Sequence, residues 1–385
     1  MSDGLPLPAL HAEPAPVPLD VPIILFGFNR PAYLERVCAS LSNQRGVVLN
    51  PRRVFLLQDG PVSPRTGLRY AEDAQIEASI GAFRAHFPRG QVAAARGNLG
   101  IAANIRRGEA LAFEALDADC AYFFEDDLEL GPEYLRIMEA LRALSDRDPR
   151  VGYFAAYGDH HIALPGPEAW LTMLQHHWGF GLRREPWRRL RAWLAPYYEI
   201  LDRADYAARD HLAIFRWMES LDVATGASSQ DAVKTVGCNA LGIARVMTDV
   251  CFGRYIGAQG ASFREEKFRA MGFDRMSWVE GPEHRLAAGV DAQVSAIISE
   301  PRKRHEQYRA ERLPKLLEEQ ARTRLERDRP ATREDVVMLF RYLLDRLPED
   351  EAVESLAERH SVRQVRDILL GSREFRGRNP RPAEG

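Results

Sequence analysis

The stretch CAYFFEDDLELGPEYL, residues 120–135, sets three acids directly behind an apolar run. Glu125, Asp126 and Asp127 follow Ala121–Phe124 without a spacer. Alternate side chains of a strand share a face, so Glu125 and Asp127 are expected to point one way and Asp126 the other. Carboxylates this close repel one another unless a cation neutralises them. Hard divalent ions such as Mn²⁺ or Mg²⁺ prefer oxygen ligands, use one or two protein carboxylates, and complete their shells with phosphate oxygens and water. Such an ion acts as a Lewis acid on a departing diphosphate. The competing explanation is helix capping, because negative charge complements a helix N-terminus. The next helix is expected to begin near Pro132, so capping accounts for at most Glu129 and Glu133.

Elements must bring these acids to a site. Val21–Phe28 is a mostly apolar run, as a strand covered on both faces requires, and it ends in Asn29-Arg30-Pro31. A helix with Leu34, Val37 and Leu41 on one side follows. Val54–Leu57 ends in Gln58-Asp59-Gly60-Pro61, and a helical stretch covers Ala71–His86. The short strand GQVAAA leads into GNLGIAANI and a helix to about Leu116. Ala121–Phe124 is the fourth strand. Strand and helix alternate, which predicts an α/β fold with a mostly parallel sheet flanked by helices. Open parallel sheets bind ligands at the carboxyl ends of their strands. The four polar clusters, Asn29-Arg30, Gln58-Asp59, Asn98 and Glu125–Asp127, would therefore form one site.

Composition narrows the class. The chain has 385 residues, 45% hydrophobic and 28% charged, with a net charge of −3. Its arginines are interspersed with acids, so the basic face that nucleic acid requires is not expected. No apolar run reaches the length of a membrane span, which leaves only peripheral membrane contact open. Four scattered cysteines without a CxxC pair predict neither zinc nor a redox motif and suit a reducing, cytoplasmic, bacterial setting. Residues 1–20 read as a disordered leader, 21–300 as the catalytic domain, 301–330 as a charged helical linker, 331–377 as a small all-helical module of three helices, and 378–385 as a disordered tail.

Together the clusters resemble the GT-A class of nucleotide-sugar glycosyltransferases, and most closely the N-acetylglucosaminyltransferase I family and bacterial family 2-like enzymes. The motifs are ILFGFNRP, LLQDGP, NLGIAANIRRG, FFEDDLE, HWGFGLRREPW and RYIGAQGASF, within residues 21–265. The order and spacing of QDG and EDD are the more specific part. The resemblance implies a Rossmann-like GT-A fold, a UDP-sugar donor, a glycan or lipid-linked sugar acceptor in polysaccharide biosynthesis, and Mn²⁺ or Mg²⁺. It also implies roles. Asp127 would ligate the metal, with Asp126 in its outer shell or acting through water. Glu125 would bond the ribose. Asp59 would accept from the uracil N3–H. Arg30 would face the base or phosphates, and Asn104 or Arg107 would border the diphosphate.

Inversion needs a base for the acceptor hydroxyl. The resemblance points to Asp231 in ASSQDAVK, with Asp222 as second choice; SSQD would equally suit a helix cap. Trp178 could stack on a sugar face, and Gly179 could permit close backbone approach. Relatives often carry a histidine after the last glycine-rich segment, where this chain has Ser262 and Phe263. Neither His160-His161 nor His176-His177 replaces it convincingly. The terminal LFRYLLDRL and LLGSREF resemble a helical module appended to bacterial glycosyltransferases. The alternatives are a nucleotidyltransferase, whose usual glycine-rich basic loop after the first strand is absent here, and a non-catalytic carbohydrate-binding protein.

Overall fold

The computed structural model describes residues 17–158, 166–221, 227–259, 265–311 and 328–379. The leader up to residue 16, His160-His161, Asp222, Ser262-Phe263, most of the charged linker and the last six residues lie outside that set. The chain divides into two compact units, Met1–Lys303 and Arg304–Gly385.

The first unit is built on an eight-stranded sheet. Its strands are β1 (Ile23–Gly27), β2 (Val54–Gln58), β3 (Gln91–Ala94), β4 (Cys120–Glu125), β5 (Val151–Ala155), β6 (Leu171–Met173), β7 (Gly179–Arg183) and β8 (Ala244–Thr248). Their order is β6-β8-β5-β7-β4-β1-β2-β3. The pairs β4–β1, β1–β2, β2–β3 and β5–β8 are parallel, so the sheet is mostly parallel. β7 runs antiparallel to both β4 and β5, and β6 runs antiparallel to β8. The helices that matter for the site are α1 (Pro31–Ser42), α2 (Asp73–His86), α3 (Ile101–Ala110), α4 (Tyr134–Arg147) and α5 (Gln230–Leu241).

Every residue of β1 and β2 is buried, as the apolar runs require. In β4 the aromatic residues fill the layer beside the sheet: Phe123 packs against Phe26, Phe113 and Phe180. Each fully buried side chain of this size contributes roughly 1.5–3 kcal/mol. The core thereby fixes the strand whose far end carries the acids. Beyond that end Asp126 and Asp127 are themselves buried, beside the Arg30 guanidinium.

Val17–Leu19, inside the stretch read as leader, forms a short strand parallel to Val47–Leu49. The helix after the acids starts at Tyr134, and Glu133 at its N-cap position makes no side-chain cap bond. Glu129 pairs instead with Arg36 and Arg254. Capping therefore explains none of the triplet. After α3 the helix widens into a π turn over Leu111–Ala115.

The helical module read from residue 331 has four helices among its described residues, not three: α6 (Arg333–Leu344), α7 (Asp350–Leu356), α8 (Val362–Gly371) and α9 (Arg373–Arg378). The extra break falls at Ser372, whose hydroxyl accepts from the Phe375 N–H and starts a new helix. Among the described residues, no helix is long and apolar enough to cross a membrane.

Candidate active site

Because β1, β2 and β4 are parallel, their carboxyl ends open on one side of the sheet. There a cleft of about 1030 Å³ is lined by Asn29, Arg30, Asp59, Asn98, Asn104, Glu125, Asp126, Asp127, Trp178 and Asp231. The strand-end clusters and the residue read as base thus share one cavity, although Asp231 comes from the start of α5.

The acidic triplet is asymmetric. Arg30 places its guanidinium on both oxygens of Asp126 and lies 2.9 Å from Asp127 Oδ2. Its Nε and Nη2 are thereby engaged by the acids, while Nη1 lies 3.5 Å from the Gln259 carbonyl and Arg30 lines the cleft. Burial works against the Arg30 charge, but Asp126 and Asp127 more than restore it. Asp127 Oδ1 is buried without a hydrogen-bond partner among the described residues. The Asp127 carbonyl accepts from the Ile256 N–H at 2.8 Å, which pins the turn. Gly257 is required beside it, since a Cβ there would lie 2.7 Å from Asp127 Oδ2.

Burial, opposed by Arg30, pushes the Asp127 carboxyl up to about 6. Burial also raises Asp126 against the pull of Arg30. Glu125 is driven well above the usual carboxylate range, first by burial and then by Asp127 and Asp231.

Among the described residues no three His, Cys, Asp or Glu side chains converge as a preformed metal cage. The donor on offer is Asp127 Oδ1, a buried oxygen that no donor among the described residues fills. That fits a hard ion which takes one protein carboxylate and completes its shell with phosphate oxygens and water.

Several expected contacts come out differently. Both Asp59 oxygens are filled: Oδ1 accepts from Gly60 N at 2.9 Å and Leu99 N at 2.7 Å, and Oδ2 from Gly100 N at 3.0 Å and Asn98 Nδ2 at 3.3 Å. A carboxylate offers about four lone-pair sites, so none is left for a uracil N3–H. Asp59 instead holds the turn into α3, where Gly100 takes a left-handed φ of 77°. Burial raises its pKa against the pull of those amides.

Asn104 donates to the Leu57 carbonyl and accepts from Arg107. Arg107 also donates to the Ala93 carbonyl and does not line the cleft. It braces β2 and β3 from α3. Trp178 lies flat against both His176, at 4.2 Å, and Tyr255, at 4.0 Å. Two rings this close to one indole centre cannot share a face. Both faces are therefore occupied, and neither can stack on a sugar. Gly179 serves packing: a Cβ there would meet Phe124 at 2.8 Å, so its missing side chain makes room for the core and not for a ligand. Trp187 is buried, with its N–H on Glu109, away from the cleft.

For Asp231 the two expected roles separate. Ser229 is the N-cap of α5 and accepts from the Ala232 N–H. Asp231 sits in the first turn with its carboxylate left over. Oδ1 accepts from Gln230 Nε2 at 2.6 Å and lies 3.5 Å from His177 Nδ1. Burial opposes its charge, but His177, Lys234 and His176 outweigh burial and hold the carboxyl below its ordinary range.

Comparison with solved structures finds chains that align loosely. S. aureus TarS aligns over 93% of this chain and 52% of its own, at 12% identity and a TM-score of 0.35. This chain thus spans about half of that protein. LgtC, a galactosyltransferase solved with donor and acceptor sugar analogs, aligns over 67% of this chain and 97% of its own, at 12% identity and a TM-score of 0.29. Mannose-1-phosphate geranyltransferase from Thermus thermophilus aligns over 59% of this chain and 72% of its own, at 12% identity and a TM-score of 0.31. No family model and no curated protein matches the chain. Alignments this loose carry nothing about activity, and the chemistry must come from the cleft itself.

The cleft also contains groups that sequence reasoning missed. Asp205 accepts from the hydroxyls of Ser63, Thr66 and Tyr70, tying the loop after β2 to the segment before Tyr206. Tyr70, Asp205, Tyr206 and Tyr255 all line the cavity. These partners lie 135–142 residues apart, so spacing carries no signal of them.

Proposed function

We propose that the chain is an inverting glycosyltransferase of the GT-A type that moves a sugar from a UDP-sugar to a hydroxyl of a glycan or lipid-linked acceptor. The observation that carries this reading is one cleft holding two unlike carboxylates. Asp127 presents a buried oxygen that no donor among the described residues fills. Asp231 is kept ionised by its neighbours. Pushing acid groups apart in this way separates their roles.

Asp231 takes the proton of the acceptor hydroxyl. The acceptor oxygen bonds to the anomeric carbon as the bond from that carbon to the diphosphate oxygen breaks, and UDP leaves with the bonding pair. Mn²⁺ or Mg²⁺, when bound, would stabilise the negative charge gained by the diphosphate; Asp127 Oδ1 would hold it. Arg30 fixes Asp126 and Asp127 in place. Glu125 hydrogen-bonds the ribose of the donor.

With Asp59 filled, the acceptor for the uracil N3–H is Asn98. Its Nδ2 faces the Gly60 carbonyl and the Asp59 carboxylate, which fixes the amide orientation and leaves Oδ1 out of those bonds, on a residue that lines the cleft.

The test is UDP release from a panel of UDP-sugars with Mn²⁺, with the linkage and anomer of the product read by nuclear magnetic resonance. Asp127→Ala and Asp231→Asn should each lose about 100-fold or more of kcat. Wild-type activity in either variant removes that residue's role. Pyrophosphate release from a nucleoside triphosphate would instead make the chain a nucleotidyltransferase.

A further inference from the structure

We propose that His177 is a positioning residue, which fixes the Asp231 carboxylate so that only Oδ2 faces the acceptor; this rests on the reading of Asp231 as the base. His177 is 1% exposed, and neither ring nitrogen has a hydrogen-bond partner among the described residues. The Tyr153 hydroxyl beside it is buried and unpartnered there as well. Buried polar atoms in folded proteins nearly always find partners, so three orphans at one spot call for an explanation.

The surroundings give no packing reason for an imidazole. Tyr153 and Phe180 stand edge-on to the ring at 5.2 and 5.4 Å, as they would around a phenylalanine. The carboxylate at reach is Asp231, whose Oδ1 lies 3.5 Å from Nδ1. That separation is slightly longer than a formed hydrogen bond, and contacts of this kind tighten when substrate binds. Gln230 already donates to the same oxygen. Two donors converging on Oδ1 leave Oδ2 for the cleft.

Burial, together with Lys234 and Arg245, lowers the imidazole pKa against the pull of Asp231. A neutral ring can place its single N–H on Nδ1 and so orient the base without taking its proton. Asp231→Asn leaves a polar group in place, so His177 is tested through its own variants.

His177→Phe removes two unsatisfied nitrogens while keeping the ring. Its melting temperature should equal or exceed that of the wild type. Its kcat should fall by about 30-fold or more, with the donor KM within about threefold. His177→Asn places an amide N–H near the Nδ1 position and should recover most of kcat. His177→Gln carries its amide one bond further and should not. A purely structural histidine gives the opposite pattern, in which stability falls and kcat per folded molecule holds.

Wild-type kcat in His177→Phe, or equal activity of the Asn and Gln variants, overturns the proposal. The Asn–Gln comparison decides the matter even if the Phe variant does not fold. Activity retained in Asp231→Asn would instead overturn the base reading. An inactive Asp231→Asn beside a fully active His177→Phe overturns only the positioning role.

Discussion

Asp127 is a carboxylate that folding disfavours as a charge. Its pKa rises from an ordinary value of 3.8 to about 6 in the folded chain, through burial that Arg30 only partly offsets. The folded state therefore binds more protons than the unfolded state between those values, and stability falls as pH rises through that window. Above about 6 the penalty is complete, and below about 4 it is gone. Asp127→Asn removes the charge, while Arg30 keeps its two contacts to Asp126. We expect this variant to be more stable than the metal-free wild type at pH 7, by on the order of 2 kcal/mol. The gain should vanish as pH approaches about 4. Urea unfolding with chelator across roughly pH 4–8 measures it, and a gain that is constant with pH would contradict the burial argument. The variant should also be the less active one, as expected where a site holds strain that its fold alone would not choose. Charges at the ends of apolar strands were legible in the sequence because composition alone marks them. The partners of Asp59, Arg107 and Trp178 were not, because their contacts depend on loop amides and rings that are brought together only by tertiary structure.

At the scale of elements, the start of α5 sets the base. Ser229 at the cap and Asp231 in the first turn divide two roles that the sequence left open between them. The helix N-terminus adds its own preference for a negative charge there. Ser229→Ala should cost about 1 kcal/mol of stability, the usual loss for a cap. It should lower kcat by less than about tenfold, because Gln230 and His177 still hold the carboxylate. Ser229→Asp should restore both quantities. Denaturant midpoints and kcat of the two variants are the measurement, and loss of activity with no loss of stability would show that the hydroxyl acts directly. The parallel strands were legible from their unbroken apolar runs. Strand β7 was not foreseen as a sheet member, because GFGLR is short and glycine-rich and its place depends on pairing with both β4 and β5. The break at Ser372 was likewise hidden inside an apolar spacing that continues through Phe375.

At the scale of the whole molecule, two cores form from disjoint residues. The larger runs from Leu19 to Val294, and the smaller is seven buried residues between Ala331 and Leu369. So small a core is marginal by itself, since short chains bury too little surface. Local devices support it. Arg329 and the Thr332 capping box both engage Asp335, and Ser361 forms a second capping box with Gln364. Among the described residues, every group assigned to the chemistry belongs to the larger unit. Residues 1–303 should therefore fold without the rest and release UDP with a kcat within about threefold of the full chain. Calorimetry of the full chain should show a small transition at lower temperature and a large one at higher temperature. Removing residues 304–385 should abolish the first and leave the second within about 3 °C. If the large transition also falls, or the shortened chain does not fold, the larger core depends on the helical unit. If both transitions behave as expected but transfer to a polymeric acceptor drops, the helical unit contributes to acceptor binding and not to the chemistry.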